Sequence, residues 1–131
     1  EVEDELEELA QSFFDRSAHG SRIRLHIGSA LDIAPALGGV FDLVFIDGDK
    51  REYPDYYRML MGDDDGCPLV RSDSVLIADN ILWSGKVVQP IAHNDRHTQA
   101  VMEFNRMVRE DPRVENVIVP LRDGLNLIRI K

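Results

Sequence analysis

The stretch Phe-Asp-Leu-Val-Phe-Ile-Asp-Gly-Asp-Lys at residues 41–50 decides the fold. Its apolar run ends abruptly in acidic residues, which is typical of a buried parallel strand that delivers carboxylates at its C-terminal end. The stretch Ser-Val-Leu-Ile-Ala-Asp-Asn at residues 74–80 repeats the pattern. Asp47 and Asp79 are 32 residues apart, about the length of one strand-helix-strand unit. The two stretches therefore predict neighbouring parallel strands.

The ends of neighbouring strands lie ~5 Å apart. The carboxylates of Asp47 and Asp79 and the amide oxygen of Asn80 would then converge where open α/β sheets bind ligands. Three hard oxygen donors suit a magnesium or calcium ion. The alternative is that each aspartate only caps the helix that follows its strand. Because both aspartates occur together with Asn80, we favour the metal site.

Composition bounds the class of protein. With 131 residues, 44% apolar and 30% charged, we expect at most one soluble domain. The net charge of −9 makes nucleic acid and anionic membranes poor partners and favours a cation as ligand. The single Cys67 excludes an intramolecular disulfide and fits the cytoplasm. We see neither a membrane-spanning run nor a signal peptide, and a first residue Glu1 indicates a processed product or a fragment.

Apolar periodicity predicts the first half of the chain. Residues 3–17 form an amphipathic helix whose stripe we expect in the core, and residues 23–27 form a strand. Gly28, Ser29 and Ala30 open a short helix. After the strand at residues 41–46 comes a helix with Pro54 in its first turn. The face of that helix, expected to be core, consists of Tyr53, Tyr56, Tyr57, Leu60 and Met61.

The second half follows the same reasoning. Residues 62–66 lack the ligand spacing of an EF-hand, so we interpret them as a surface turn rather than a calcium loop. Residues 81–94 have no sustained period and predict a loop, of the kind that carries function after a strand. Residues 95–110 predict a helix. Residues 114–119 and 125–130 predict an antiparallel hairpin.

Four of these segments carry a family resemblance. Residues 41–53, 76–87, 111–114 and 121–125 look like the cation-dependent S-adenosylmethionine O-methyltransferases. This family contains catechol and caffeoyl-CoA O-methyltransferases and many small bacterial members. The similarity runs over nearly the whole chain, with the motifs in the family's order and approximate spacing.

The resemblance implies roles for the acidic strand ends. Asp47, Asp79 and Asn80 match the family's metal ligands, which the residue pattern had already grouped. Lys50, three residues beyond Asp47, matches the catalytic lysine. Asp49 matches an acidic position near metal and substrate, and Trp83 matches a residue beside the acceptor pocket.

The resemblance also implies the cofactor contacts. Gly28, Ser29 and Ala30 match the turn that contacts the adenine. Glu1 looks like the acid that binds the ribose hydroxyls. Asp47 is implied to contact S-adenosylmethionine as well as the metal.

The family chemistry explains these residue types. Methyl transfer from a sulfonium to a phenolic oxygen requires two positioned reactants and a phenolate. A phenol has a pKa of ~10, and chelation of a catechol-like acceptor by a divalent ion (magnesium, with manganese or calcium as alternatives) lowers that pKa. Lys50 can take the proton or stabilise the anion. The alternative for Lys50 is an ordinary solvated surface lysine.

The resemblance implies an α/β, Rossmann-like methyltransferase sheet of order 3-2-1-4-5-7-6 with a terminal antiparallel hairpin. By that alignment residues 1–131 are the C-terminal portion of a single methyltransferase domain, truncated before the first two strands. We therefore expect the fragment to be inactive alone and the complete protein to form a homodimer.

Two other functions stay open on the residues. A receiver-type phosphoacceptor domain also places acids and a lysine around magnesium at strand ends. It requires an acidic pair after the first strand and a lysine after a later strand, whereas Lys50 follows Asp47 closely. The other possibility is a catalytically silent interaction fragment.

Overall fold

The computed structural model describes residues 1–63 and 66–131. The chain divides into two compact units, Glu1–Gly38 and Gly39–Lys131, which are described separately. The surface turn predicted at residues 62–66 lies partly outside the described residues. In the part that is described, no helix is long and apolar enough to cross a membrane.

The second unit is built on a mixed four-stranded sheet. Its strands are β1 (Leu43–Ile46), β2 (Val75–Asp79), β3 (Val114–Val119) and β4 (Leu125–Ile130). They lie in the order β1-β2-β4-β3, with β1 and β2 parallel and the other pairs antiparallel. This order corresponds to the 4-5-7-6 half of the expected sheet. The predicted α/β class and terminal hairpin are therefore confirmed.

The register of β1 against β2 positions the site. Ile46 pairs with Ala78 in the parallel ladder. Asp47 follows β1 and Asp79 is the last residue of β2, so the two aspartates lie side by side at the carboxyl ends of adjacent strands, which are ~5 Å apart.

Two helices pack against each other beside the candidate site. Helix α3 (Tyr53–Met61) carries Pro54 in its first turn and ends at Gly62 in the left-handed conformation. Helix α4 (Arg96–Glu110) begins after Asp95, whose Oδ1 accepts a hydrogen bond from the Thr98 N–H at 3.1 Å. Both helices agree with their predicted positions.

The core between these helices is aromatic. The rings of Tyr53 and Tyr57 each meet the ring of Phe104 edge to face, at centroid distances of 5.5 and 5.9 Å. All three side chains are buried. Edge-to-face pairs hold rings in defined orientations. The packing on Phe104 therefore fixes the orientation of the Tyr53 ring.

The first unit contains two helices, α1 (Glu7–Asp15) and α2 (Ala30–Leu37). The apolar stripe of α1 was expected in the core, and that expectation is wrong: within the described residues no α1 side chain is buried. Leu9 is 56% and Phe13 57% exposed. Periodicity predicts which face is apolar, but burial also needs an opposing surface.

The strand predicted at residues 23–27 is also wrong, because this stretch is not assigned to any sheet. It follows a 3₁₀ turn at Gly20–Arg22 and is held at its end by Glu1. The carbonyl of His26 accepts from the Glu1 amino group at 3.2 Å, and the Gly28 N–H donates to the Glu1 carbonyl at 2.8 Å. Contacts to a single residue do not form the ladder that defines a strand.

Candidate active site

Lys50 lies at the centre of the candidate site. It opens the 3₁₀ turn Lys50–Glu52, which begins four residues after the end of β1, and is only 7% exposed. Its Nζ donates to Asp47 Oδ1 at 3.1 Å and to Tyr53 Oη at 2.5 Å, and it lies 3.5 Å from the Gly48 carbonyl oxygen. Lys50 is therefore buried and paired, and it is not the solvated surface lysine of the alternative interpretation.

Tyr53 joins the ends of the two parallel strands. Its hydroxyl lies 3.1 Å from the Ile46 carbonyl oxygen at the end of β1 and 3.0 Å from the Asp79 carbonyl oxygen at the end of β2. Burial, followed by the charges of Asp47 and Asp79, raises the pKa of Tyr53. The hydroxyl therefore stays protonated at neutral pH. The sequence analysis placed Tyr53 in the core and missed these contacts, because periodicity does not show which groups a buried hydroxyl contacts.

Asp79 and Asn80 form the second part of the site. The Asp79 Oδ1 accepts from the Asn80 backbone N–H at 2.6 Å. Asn80 has a φ of +58°, in the left-handed region that asparagine tolerates better than most residues. The chain therefore turns sharply after β2 and leaves both polar side chains at the strand end.

The capping alternative finds little support at Asp47. The helical turn after β1 is capped by Asp49, which accepts from the Arg51 N–H at 2.9 Å. Asp47 instead pairs with Lys50, and its side chain is 51% exposed.

Asp49 is held by its neighbour. The Arg51 guanidinium, with the Arg51 N–H, lowers the pKa of Asp49 to about 2. The Asp49 carboxylate is therefore ionised and paired at the edge of the site, and its expected role toward substrate stays a prediction.

The described part of the chain does not contain a carboxylate-rich metal centre. Among the residues that the structure describes, no group of three or more His, Cys, Asp or Glu is placed to hold a metal ion. The predicted set contains two carboxylates and one amide. Asp47, Asp79 and Asn80 at adjacent strand ends are thus the donors to consider.

Trp83 forms a flat wall with a residue that sequence reasoning missed. Its ring stacks on His97 with centroids 6.0 Å apart and an interplanar angle of 15°. Trp83 opens a 3₁₀ segment, Trp83–Val88, within the stretch predicted as a loop without helical period. Positive φ values at Trp83 and Ser84 kink this segment, which hydrophobic periodicity could not reveal. The one sequence signal for His97 is its position, two residues after the helix cap Asp95 and next to the predicted loop.

The hairpin turn between β3 and β4 supports the Trp83 segment. The Gly124 carbonyl accepts from the Ile81 N–H at 3.2 Å, and the Asp123 carbonyl accepts from the Leu82 N–H at 3.0 Å. Asp123 Oδ1 also accepts from the Ser84 N–H at 2.6 Å. The loop after β2 is therefore fixed by contacts from the hairpin turn that precedes β4, the strand beside β2.

The expected cofactor residues of the first unit lie at the beginning of α2. Ser29 caps this helix, and its Oγ accepts from the Leu31 N–H at 3.2 Å. Gly28 has a φ of +135°, and Ala30 is the first helical residue. The Glu1 carboxylate accepts hydrogen bonds from the N–H groups of Val2 and Glu3 at 2.7 and 3.0 Å. These two bonds lower the pKa of Glu1, and the bond from the Glu3 N–H has the larger effect.

A family comparison agrees with the fold. The model of the O-methyltransferase family matches residues 1–131. The chain therefore belongs to this O-methyltransferase family, as the resemblance indicated. The signalling-domain alternative is not favoured.

Individual relatives fall in the same class. The chain is 30% identical to a caffeoyl-CoA O-methyltransferase from Petroselinum crispum, over 93% of the chain and 53% of that protein. It is also 30% identical to a catechol O-methyltransferase from Niastella koreensis, over 94% of the chain and 57% of that protein. The chain thus spans about half the length of the curated relatives it matches.

Solved structures give the same result. An O-methyltransferase from Bacillus cereus in complex with SAH superposes with a TM-score of 0.88 at 26% identity, over 100% of this chain and 60% of that one. TomG from Streptomyces achromogenes, in complex with SAM, superposes with a TM-score of 0.85 at 28% identity, over 98% and 59%.

Proposed function

We propose that this chain carries the metal- and acceptor-binding portion of an S-adenosylmethionine-dependent, divalent-metal-dependent O-methyltransferase. In this proposal residues 1–131 are the C-terminal portion of a single methyltransferase domain. One observation carries it: a buried lysine bridges Asp47 and Tyr53 at the ends of two adjacent parallel strands, and Asp79 stands at the second end.

The donor set fits a divalent cation. Asp47, Asp79 and Asn80 offer two carboxylates and an amide oxygen, which are hard ligands suited to magnesium, with manganese or calcium as alternatives. The parallel register brings the two aspartates to adjacent positions. A bound cation would acidify the acceptor hydroxyl and fix which oxygen faces the methyl group.

Lys50 is the proposed catalytic residue. Its ammonium has a fixed position beside Asp47, at the edge where the acceptor oxygen would lie. A positively charged donor there stabilises a developing phenolate, and a neutral amine there accepts the phenolic proton. Because Tyr53 and Asp47 hold the group in place, little reorganisation is required during the reaction.

The proposed acceptor is a catechol-like aromatic or another with vicinal oxygens. The stacked pair of Trp83 and His97 offers a flat surface suited to an aromatic ring. Asp49, held by Arg51, adds a fixed negative charge at the edge of this surface. The names of the two curated relatives support a vicinal-oxygen acceptor without fixing its identity.

For the cofactor we propose that Glu1, Gly28, Ser29 and Ala30 contact the nucleoside part of S-adenosylmethionine, with Asp47 contacting the cofactor as well as the metal. The structures of related O-methyltransferases with SAH or SAM bound support S-adenosylmethionine as the cofactor. We also propose a cytoplasmic homodimer that acts on a small molecule rather than on nucleic acid, in keeping with a net charge of −9 and one cysteine.

The test is a replacement of Asp79 in the complete protein. Asp79→Ala should reduce metal-dependent transfer of labelled methyl to a simple catechol by ~100-fold or more, because one of two carboxylate ligands is lost. The control Asp73→Ala removes an acid whose side chain is 81% exposed, ahead of β2. Wild-type activity that persists unchanged in excess chelator would contradict the metal mechanism.

A further inference from the structure

The Tyr53 hydroxyl contacts three groups of the candidate site at once. It accepts from Lys50 Nζ at 2.5 Å and lies within hydrogen-bond distance of the carbonyl oxygens of Ile46 and Asp79. We infer that Tyr53 is a positioning residue, which fixes the Lys50 ammonium beside Asp47. This inference rests on the proposed function.

The hydrogen-bond count supports this assignment. A tyrosine hydroxyl has one proton, so it donates to one of the two carbonyl oxygens at a time while a lone pair faces Lys50. An ammonium has three protons, and the structure provides three acceptors: Asp47 Oδ1, Tyr53 Oη and, at a longer 3.5 Å, the Gly48 carbonyl. Without the hydroxyl, the ammonium loses its shortest contact.

The ring of Tyr53 is anchored independently of its hydroxyl. The side chain is fully buried and meets Phe104 edge to face. The Lys50 Nζ also lies 4.6 Å from the centroid of the Tyr53 ring. Phenylalanine preserves both ring contacts, so Tyr53→Phe removes the hydroxyl alone.

Tyr57 provides a matched control on the same helix. It is also buried, also meets Phe104 edge to face, and donates its hydroxyl hydrogen bond to Asp111 Oδ2 at 3.0 Å. Tyr57→Phe therefore removes an equivalent buried hydroxyl that does not touch Lys50 or the strand ends.

The kinetic test uses both variants in the complete protein, with S-adenosylmethionine, magnesium and a simple catechol. We expect Tyr53→Phe to lower kcat by about 10-fold or more with the KM for S-adenosylmethionine within twofold of wild type. Tyr57→Phe should keep wild-type kcat. Equal kcat values for the two variants would overturn the inference.

A double-mutant cycle separates positioning from general loosening of the site. If Tyr53 acts through Lys50, Tyr53→Phe should change kcat less than twofold in a Lys50→Ala background. The same loss in both backgrounds would assign Tyr53 a merely structural role and overturn the inference.

A third measurement does not depend on activity. The rate of reductive methylation of Lys50 with formaldehyde and cyanoborohydride as the hydride donor, followed by mass spectrometry, reports how firmly the ammonium is held. Lys86, whose side chain is 53% exposed, is the internal reference. Tyr53→Phe should raise the Lys50-to-Lys86 rate ratio at least threefold, and Tyr57→Phe should not.

An unchanged ratio in Tyr53→Phe would overturn the positioning role whatever the catalytic result. If wild-type protein transfers no methyl group to any vicinal-oxygen acceptor, the proposed function fails. The labelling ratio still decides whether Tyr53 holds Lys50.

Discussion

Among single residues, Lys50 is the one whose replacement separates an effect on the chemical step from an effect on ligand binding. It is buried, yet its partner Asp47 is half exposed, so the ion pair lies at the boundary between the core and the open end of the sheet. A lysine fixed at such a boundary can reach a ligand without the entropy cost of ordering a free side chain.

We expect Lys50→Ala in the complete protein to lower kcat by ~100-fold or more, because assistance by a positioned acid or base is typically of that size. The affinities for metal and S-adenosylmethionine should change little. Activity of the variant should recover in part as the pH approaches the phenolic pKa of ~10, where the acceptor ionises unaided. A pH–rate profile checks this, and wild-type kcat across pH 6 to 9 would end the catalytic assignment.

The secondary-structure elements show what could be predicted from the sequence. The periodicity of α4 and the short link between residues 114–119 and 125–130 identified these elements. Helix α4 and strand β4 each bury one face against the core. Asp47, Asp79 and Asn80 could be grouped because strand ends share an edge of a parallel sheet.

The remaining features depend on contacts between elements. The hydroxyl of Tyr53 and the stacking of His97 on Trp83 depend on where α3 and α4 meet the sheet, which no local pattern encodes. The kink at Ser84 depends on the hairpin turn that holds the segment. The exposed stripe of α1 and the missing strand at residues 23–27 also depend on which surface faces them.

The hairpin turn gives the prediction at this scale. A Cβ on Gly124 would lie 2.5 Å from Leu82 Cγ and 3.1 Å from Ile81 Cδ1. Gly124→Ala should therefore lower the free energy of unfolding by about 1–3 kcal/mol through overpacking, beyond the cost of a left-handed alanine. It should also weaken metal binding, because the displaced loop follows Asn80. Urea unfolding and calorimetric metal titration of the complete protein measure the two effects.

Gly39→Ala is the control for Gly124→Ala. The two glycines have φ values of +82° and +85°, but a Cβ on Gly39 meets nothing within 4 Å. Gly39→Ala should show only the left-handed cost of about 1–2 kcal/mol. Equal losses in the two variants would mean that the turn does not pack against Ile81 and Leu82 as described.

At the scale of the whole second unit, several acidic side chains are paired with arginines. Asp111 is the best-buried example: its Oδ2 lies 2.7 Å from Arg113 Nη2 and accepts from the Tyr57 hydroxyl at 3.0 Å. Arg113 also pairs with Asp63 at 2.6 Å. This cluster fastens the end of α4, the buried face of α3 and the start of β3 to one another.

The environment of Asp111 therefore predicts how the stability of the fold changes at acidic pH. The Arg113 guanidinium, helped by the Arg113 N–H and the Tyr57 hydroxyl, holds the pKa of Asp111 below its ordinary value. A depressed carboxyl pKa stabilises the fold above the unfolded pKa of ~3.9, and this contribution is lost as the pH falls through the lower folded pKa. Wild-type protein should thus lose stability below about pH 4.

Asp111→Asn should remove about 1.5–3 kcal/mol of unfolding free energy at pH 7, the range for hydrogen bonds to a charged group. The variant should also show a smaller further loss between pH 4 and pH 2, because it has already lost the titrating carboxylate. Urea unfolding at each pH measures both. Asp55→Asn, which removes a carboxylate that is 55% exposed on α3, controls for the change in net charge. A variant as stable as wild type at pH 7, with an undiminished acid loss, would show that the cluster does not stabilise the fold.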